Sequence, residues 1–106
     1  MPSVEFSGTL TPDDTEQTLA TVSTSRSLML VVNLTGMVIG DRVVLRSKRK
    51  VLSADPSAYL FQEREFNDVQ SGLAVLDPFV SPYQAVFTLE RTAGVIASVP
   101  WSVESL

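Results

Sequence analysis

Apolar and polar residues alternate over short stretches of the chain, and residues typical of turns separate these stretches. A two-residue period places successive side chains on opposite faces of a β-strand. The stretches are rich in Val, Thr, Leu, Phe and Tyr, whereas a helical period is hard to find. The pattern therefore predicts about seven to eight strands, over residues 4–8, 18–23, 27–35, 42–52, 58–66, 73–76, 83–91 and 95–104.

Strands at regular spacing with turns between them predict two packed antiparallel sheets. The expected fold is all-β, an antiparallel β-sandwich of jelly-roll or immunoglobulin-like type, with a small β-barrel as the alternative. The 106 residues fit one domain, since most domains contain roughly 100 to 150 residues. We therefore expect a single β-sandwich domain over residues 1–106, in which residues 1–25 are candidates for an arm or edge segment.

The predicted strand at 27–35 carries apolar side chains on both faces. Leu28 and Leu30 share one face, and Met29 and Val31 share the other. A strand that is apolar on both faces is typical of a central strand covered on both sides. We expect this arrangement for 27–35.

The strand at 42–52 is basic on one face, and it is predicted to form a hairpin with the next strand through the turn at 54–57, which contains Asp and Pro. One register places Lys48 opposite Glu63 and Arg46 opposite Glu65. Opposite charges then face each other across the hairpin, which makes the register self-consistent.

The last two predicted strands, 83–91 and 95–104, alternate clearly on either side of the turn Thr92-Ala93-Gly94. The side chains expected to face the core begin with Tyr83 in the first of these strands and with Val95 in the second. Two alternating strands joined by a short turn predict a C-terminal hairpin. Pro100 cannot donate a ladder hydrogen bond, which favours an edge or a bulge there.

The chain contains no cysteine and no histidine. Disulfides, zinc–thiolate sites, thiolate nucleophiles and the usual general base near neutral pH are therefore excluded. The start of the chain lacks the basic and apolar segments of a secretory signal, and the longest apolar run, 28–32, is far shorter than the roughly 20 residues of a membrane-spanning helix. We expect no catalytic residues, no cofactor, no metal and no membrane.

The net charge is −4, which argues against a nucleic-acid partner because phosphate binding requires clustered excess Lys and Arg. The basic strand nevertheless concentrates Arg42, Arg46, Lys48 and Lys50. These four side chains are a candidate interface for an acidic partner. The alternative, which the predicted hairpin favours, is a solvated strand face paired with glutamates.

Aromatic and acidic residues give further candidates. Tyr59, beside the turn at 54–57, is the most plausible exposed aromatic residue and joins the candidate interface; it also suggests a carbohydrate-binding or adhesion module. Trp101 lies on the same predicted strand face as its apolar neighbours, so we expect it to pack in the core. Asp13, Asp14 and Glu16 do not match the spacing of a calcium loop and are interpreted as a polar turn.

Several runs of residues carry a resemblance to a known class of proteins. They are Ser81-Pro82-Tyr83, Phe87-Thr88-Leu89, Thr92-Ala93-Gly94 and Val99-Pro100-Trp101-Ser102-Val103, together with the earlier Gly40-Asp41-Arg42-Val43-Val44-Leu45-Arg46. With these runs the chain resembles the small β-rich virion proteins of tailed bacteriophages. The first 25 residues carry none of them.

The resemblance implies a non-enzymatic structural role in a virion assembled in the host cytoplasm. The leading expectation is a capsid decoration or cement protein that forms a homo-oligomer and binds the major capsid protein or other virion proteins. A head–tail connector or tail-associated protein is one alternative, and a carbohydrate-binding or adhesion module is another. Strand edges and terminal segments are the means by which such a protein could join neighbouring subunits.

Overall fold

A computed structural model of the protein describes residues 3–23, 26–81 and 83–105. The break predicted at Ser81-Pro82 therefore falls partly outside the described residues. Within them, the backbone forms nine strands and no helix. The strands are β1 (Ser3–Leu10), β2 (Glu16–Val22), β3 (Arg26–Asn33), β4 (Arg42–Arg49), β5 (Tyr59–Asn67), β6 (Leu73–Val75), β7 (Phe79–Ser81), β8 (Ala85–Ala93) and β9 (Val99–Ser105).

The nine strands form two antiparallel sheets that pack as a sandwich, as the sequence predicts. The first sheet has the order β1-β9-β3-β6, and β7 also pairs with β3. The second has the order β2-β8-β4-β5. Both β1 and β2 are edge strands, so residues 3–22 contribute one edge to each sheet.

The core lies between the sheets and consists of the alternate side chains that face inward. Phe87 is its largest fully buried member. Trp101 is half-buried against this core, and its indole lies across Gly8 on the neighbouring strand β1. The other fully buried large side chains are Leu28, Leu30, Leu34, Met37, Leu45, Leu76, Leu89, Val32, Val43, Val99 and Val103.

The prediction that residues 27–35 form a central strand is confirmed, because β3 lies between β9 on one side and β6 and β7 on the other, but the prediction that both faces are covered is wrong. Leu28, Leu30 and Val32 face the core, but Met29 and Val31 lie on the outer face of the first sheet and are only half-buried. An apolar residue on an outer sheet face can thus imitate the pattern of a two-sided strand.

The predicted hairpin of the basic strand is present, but its register is wrong. Arg46 lies opposite Glu63, and Lys48 lies opposite Leu60 after an irregularity in the ladder. The strand ends at Arg49, earlier than predicted, because Asp55 accepts hydrogen bonds at 2.9 Å from the N–H groups of both Val51 and Leu52. This local loop replaces the tight turn that the predicted register requires.

The predicted C-terminal hairpin does not form. Strand β8 pairs with β2 and β4 in the second sheet, whereas β9 pairs with β1 and β3 in the first. Both strands face the core, and alternation alone does not distinguish two paired strands from two strands that face each other across a core. Tyr83 and Val95, predicted to point inward, are exposed and lie outside strands.

The connection from β8 to β9 crosses between the sheets around the buried side chain of Asp41. The Asp41 Oδ1 atom accepts hydrogen bonds from the N–H groups of Val95 at 2.6 Å and Ile96 at 3.3 Å. Its Oδ2 atom accepts one from Val38 N–H at 2.9 Å. Gly94 has a φ of 96° and packs so closely that a Cβ there would overlap the Asp41 carboxylate.

The sequence pattern did not predict β7. Asp77 and Pro78 interrupt the apolar stretch there, yet β6 and β7 pair with successive parts of β3. Leu76 also donates its N–H to the carbonyl oxygen of Leu30 at 3.1 Å. Strands β6 and β7 therefore form one interrupted edge of the first sheet. The alternation of apolar and polar residues predicts only a short strand and a loop there.

Replacing Gly94 by alanine tests the crossing at Asp41. The added methyl group meets the carboxylate and the positive φ is unfavourable for alanine, so Gly94→Ala should lower the free energy of unfolding by about 2 kcal/mol or more. Gly72→Ala is the matched control, because no atom lies within 4 Å of its added Cβ. Urea unfolding measures both variants, and equal stability of the two would contradict the arrangement around Asp41.

Candidate functional site

The outer face of the second sheet carries a network of charges centred on Arg46. Its Nη1 atom lies 3.0 Å from Glu90 Oε1 and 3.2 Å from Glu16 Oε2, and its Nε atom lies 3.2 Å from Glu63 Oε2. Three strands, β2, β5 and β8, supply these carboxylates to the arginine on β4. The Arg46 side chain is only 21% exposed, so its charge is largely covered by its partners.

Glu16 links this network to two further side chains. Its Oε2 atom lies 3.1 Å from Lys48 Nζ and accepts a hydrogen bond at 2.7 Å from the hydroxyl of Thr88, which is buried. The Thr88 hydrogen bond is the largest cause that lowers the pKa of Glu16, and Lys48 and Arg46 lower it further, while burial acts in the opposite direction. Glu16 is therefore held in its ionised form.

The structure does not bring all the residues of the predicted candidate interface together. Arg46 and Lys48 are paired within the chain, and Arg42 lies 3.7 Å from Glu65 and donates a hydrogen bond to Asn67. Lys50 and Tyr59 lie away from this network, just after the end of β4 and at the start of β5, respectively. The glutamate-paired interpretation fits the geometry of the strand face, although the individual partners differ from those predicted.

Sequence reasoning missed Glu16 and Glu90 as partners of the basic strand. Both come from strands distant in the sequence, and they lie directly opposite each other on β2 and β8. A hairpin register names only the partners on one side of a strand. The sequence did place Glu90 on the outward face of its strand. That position identifies it as a partner of Arg46 only once β8 is known to lie beside β4.

An apolar surface lies at the end of the sandwich where β4 ends and β5 begins. We call it the edge end, and it consists of Val51, Leu52, Tyr59, Leu60 and Phe61, all of which are exposed. Phe61 also contacts Phe79, with ring centroids 4.9 Å apart. Tyr59 is exposed, as the sequence indicated, and it stands among apolar neighbours rather than alone.

A second apolar surface lies at the opposite end of the sandwich, on the loops tied to Asp41. We call it the loop end, and it consists of Val38, Ile39, Val69 and Val95, all exposed. Asp68 accepts a hydrogen bond from Gly40 N–H at 2.9 Å and donates its own N–H to the Asp41 carbonyl oxygen at 2.8 Å. Asp41 therefore joins three loops by hydrogen bonds: its own loop at 34–41 and the loops at 68–72 and 94–98.

The Asp41 carboxylate is ionised in this setting. The hydrogen bond from Val38 N–H is the largest cause that lowers its pKa from the ordinary value of 3.8. The N–H groups of Val95 and Ile96 and the charge of Arg91 act in the same direction, against the effect of burial. An anion that accepts several backbone donors is a strong tie between loops.

The three acidic residues 13, 14 and 16 do not form one site. Asp13 accepts hydrogen bonds from the N–H and hydroxyl groups of Thr15, Asp14 lies 2.7 Å from Arg91, and Glu16 points into the Arg46 network. Among the described residues, no group of three or more acidic side chains is arranged to hold a metal ion. The described chain also contains no helix of the length and hydropathy needed to cross a membrane.

A shallow open depression of about 310 Å³ lies on the outer face of the first sheet. Its polar groups already have partners: Asn33 Oδ1 accepts hydrogen bonds from Thr35, and Ser102 donates to Glu104 at 3.1 Å. The depression therefore offers few free groups to orient a ligand. Its lining consists of Val31, Asn33, Leu73, Pro100, Trp101, Ser102 and Glu104.

Comparisons with known proteins give no relative. No family model matches the chain, and neither a curated protein nor a solved structure matches it significantly. Candidate functions are therefore drawn from the geometry and from the resemblance described above.

Removing the Thr88 hydroxyl tests the Arg46 network. The folded pKa of Glu16 is below its ordinary value of 4.5, so the ionised side chain stabilises the fold above that pH, and this contribution is lost as the pH falls through the folded pKa. Thr88→Val should raise the pKa of Glu16 towards 4.5. It should also cost about 1 kcal/mol at neutral pH, a modest value because Glu16 is partly exposed.

NMR titration of the glutamate carboxyl carbons and urea unfolding at neutral and acidic pH measure these effects. The stability difference between Thr88→Val and the unmodified chain should shrink at acidic pH. Thr18→Val is the matched control, because Thr18 lies opposite Thr88 and is exposed. An unchanged Glu16 titration in Thr88→Val would show that the hydroxyl is not what holds the carboxylate ionised.

Proposed function

We propose that this chain is a non-enzymatic assembly protein that associates in several copies through the apolar start of β5. In its specific form, the proposal is a structural component of a tailed-bacteriophage virion, a decoration or cement protein bound to the major capsid protein. The resemblance of the C-terminal two strands and of the run at 40–46 supports the virion assignment. The geometry of β5 supports the association.

The observation that carries the proposal is an apolar sheet edge. Strand β5 ends the order β2-β8-β4-β5, so its outer backbone groups have no neighbouring strand among the described residues. Tyr59, Leu60 and Phe61 are consecutive on this edge and are 53%, 55% and 48% exposed. Charged side chains, which deter pairing at sheet edges, begin only at residue 63.

The charges of the second sheet also support association rather than catalysis. The Arg46 network joins four strands, and each of its three carboxylates lies within 3.2 Å of the arginine, so these charges are engaged within the chain. An exposed apolar edge beside a satisfied polar face is typical of a surface that is covered by a protein partner.

Sedimentation and light scattering of the purified chain test the association. We expect a mass above the 11.5 kDa of one chain, and Leu60→Glu should shift the population towards that single-chain mass, because a charge at the edge opposes burial. Leu73→Glu is the matched control, since Leu73 is similarly exposed but lies on the other sheet. A chain that stays single at every concentration would contradict the proposal.

The virion assignment is tested separately by mass spectrometry of purified particles from the phage or induced prophage whose genome encodes the chain. We expect the chain in the particle fraction in many copies, and immunogold electron microscopy should place it on the capsid surface. Recovery only in the soluble fraction would contradict the virion assignment. Labelling confined to the tail would contradict the decoration role.

A further inference from the structure

The two apolar surfaces lie at opposite ends of the same strands. Strand β4 runs from Arg42, beside the loop end, to Arg49, beside the edge end. Its eight residues span about 25 Å at roughly 3.3 Å per residue. One molecule therefore presents two separated apolar surfaces that cannot meet within the chain.

The loop end is acidic. The loop at 11–15 lies beside the loop end, since Asp14 pairs with Arg91 near the end of β8. Together with the loops at 34–41, 68–72 and 94–98 it contains four aspartates and no lysine or arginine. Asp13 and Asp68 are exposed and form no ion pair with a described residue, whereas Asp14 pairs with Arg91. The apolar tips, of which Ile39 is 83% and Val95 73% exposed, thus stand beside exposed carboxylates. Asp13 and Asp68 accept hydrogen bonds within the loop end, and the charge of Arg91 acts on Asp13 without forming an ion pair with it.

The edge end has the opposite character. Arg49 and Lys50 lie there, and among the described residues neither forms an ion pair with a carboxylate. Arg49 donates instead to the carbonyl oxygens of Lys50 and Val80. The nearby Asp55 carboxylate is directed to the backbone N–H groups of Val51 and Leu52, so part of its charge is used within its own loop.

We propose that the loop end of one copy docks against the edge end of the next copy, so that the chain assembles head to tail. This inference rests on the self-association proposed above and gives it a geometry. Apolar tips would be buried on both sides of the contact, and Asp13 and Asp68 of one copy would approach Arg49 and Lys50 of the next. A contact between two different surfaces repeats until it closes a ring or extends as a filament.

The loop end is built to enter such a contact with little loss of freedom. Hydrogen bonds hold its loops in place. The buried carboxylate of Asp41 accepts the N–H groups of Val38, Val95 and Ile96. The Asp68 carboxylate accepts the N–H of Gly40, and Asp68 donates its own N–H to Asp41. Loops that are already ordered lose less conformational entropy on binding. A lipid surface is a poorer occupant, because exposed aspartates are repelled by anionic headgroups.

Two charge-bearing variants of the complete chain test this geometry. Ile39→Lys places a cation on the loop end, where it meets the basic edge end, and Leu60→Glu places an anion on the edge end, where it meets the acidic loop end. Each variant alone should weaken self-association by about 30-fold or more, as expected for a central apolar contact. Ile39→Val and Leu60→Ile are matched controls, and circular dichroism checks whether all four variants remain folded.

The decisive sample is an equimolar mixture of the two charged variants, measured by sedimentation. Each variant retains the surface that the other lacks, so the mixture should regain association that neither shows alone. Higher salt should weaken association of the unmodified chain, because opposite charges meet at the contact.

Two results would overturn the head-to-tail geometry. If Leu60→Glu dissociates the assembly and Ile39→Lys has no effect, the chain pairs symmetrically through β5, and the association proposal stands without this geometry. If both variants dissociate the assembly but their mixture does not recover, the two surfaces do not bind each other. A single-chain mass for the unmodified protein would overturn both proposals.

Discussion

The buried carboxylate of Asp41 connects parts of the chain that are far apart in sequence. It accepts backbone hydrogen bonds from the loop that precedes β4 and from the connection that follows β8, and its own carbonyl oxygen receives the N–H of Asp68. Removing such an acceptor would leave the buried N–H of Ile96 without a partner, at about 1–3 kcal/mol, and would release the part-buried N–H groups of Val38 and Val95. Because these loops carry the chain between the two sheets, Asp41 determines how the sheets are joined at that end.

The sequence predicts the class of fold well, because alternation reports which residues face a core. It predicts the pairing of strands poorly, and β8 and β9 show why. Leu89 and Val99 both face inward, but a turn of few residues can either reverse a strand within a sheet or carry it across the core. Here Gly94 and the Asp41 side chain make the crossing possible, and the importance of a contact between residues 41 and 95 is not visible in a local pattern.

The candidate site was likewise only partly predictable from the sequence. The basic face of β4 and the exposure of Tyr59 were predictable from parity and turn position, and both are present. The partners of Arg46 were only half predictable, because Glu63 belongs to the adjacent hairpin strand whereas Glu16 and Glu90 reach it through sheet neighbours. The apolar loop end was not predicted, since Ile39 and Val95 resemble core residues until the loops are placed.

Strand β1 lies at a sheet edge and pairs with β9 alone among the strands that the structure describes, which has a consequence for how the protein is made. Among the described strands, β1 is synthesised first and β9 last, and residues 3–10 find their partners at 99–105. Strand β3 likewise waits for β9 on one side. Ladders between residues so distant in sequence form slowly, since a long loop must be closed first. During synthesis the first sheet therefore remains incomplete until β9 has emerged, and its apolar face stays uncovered for that time.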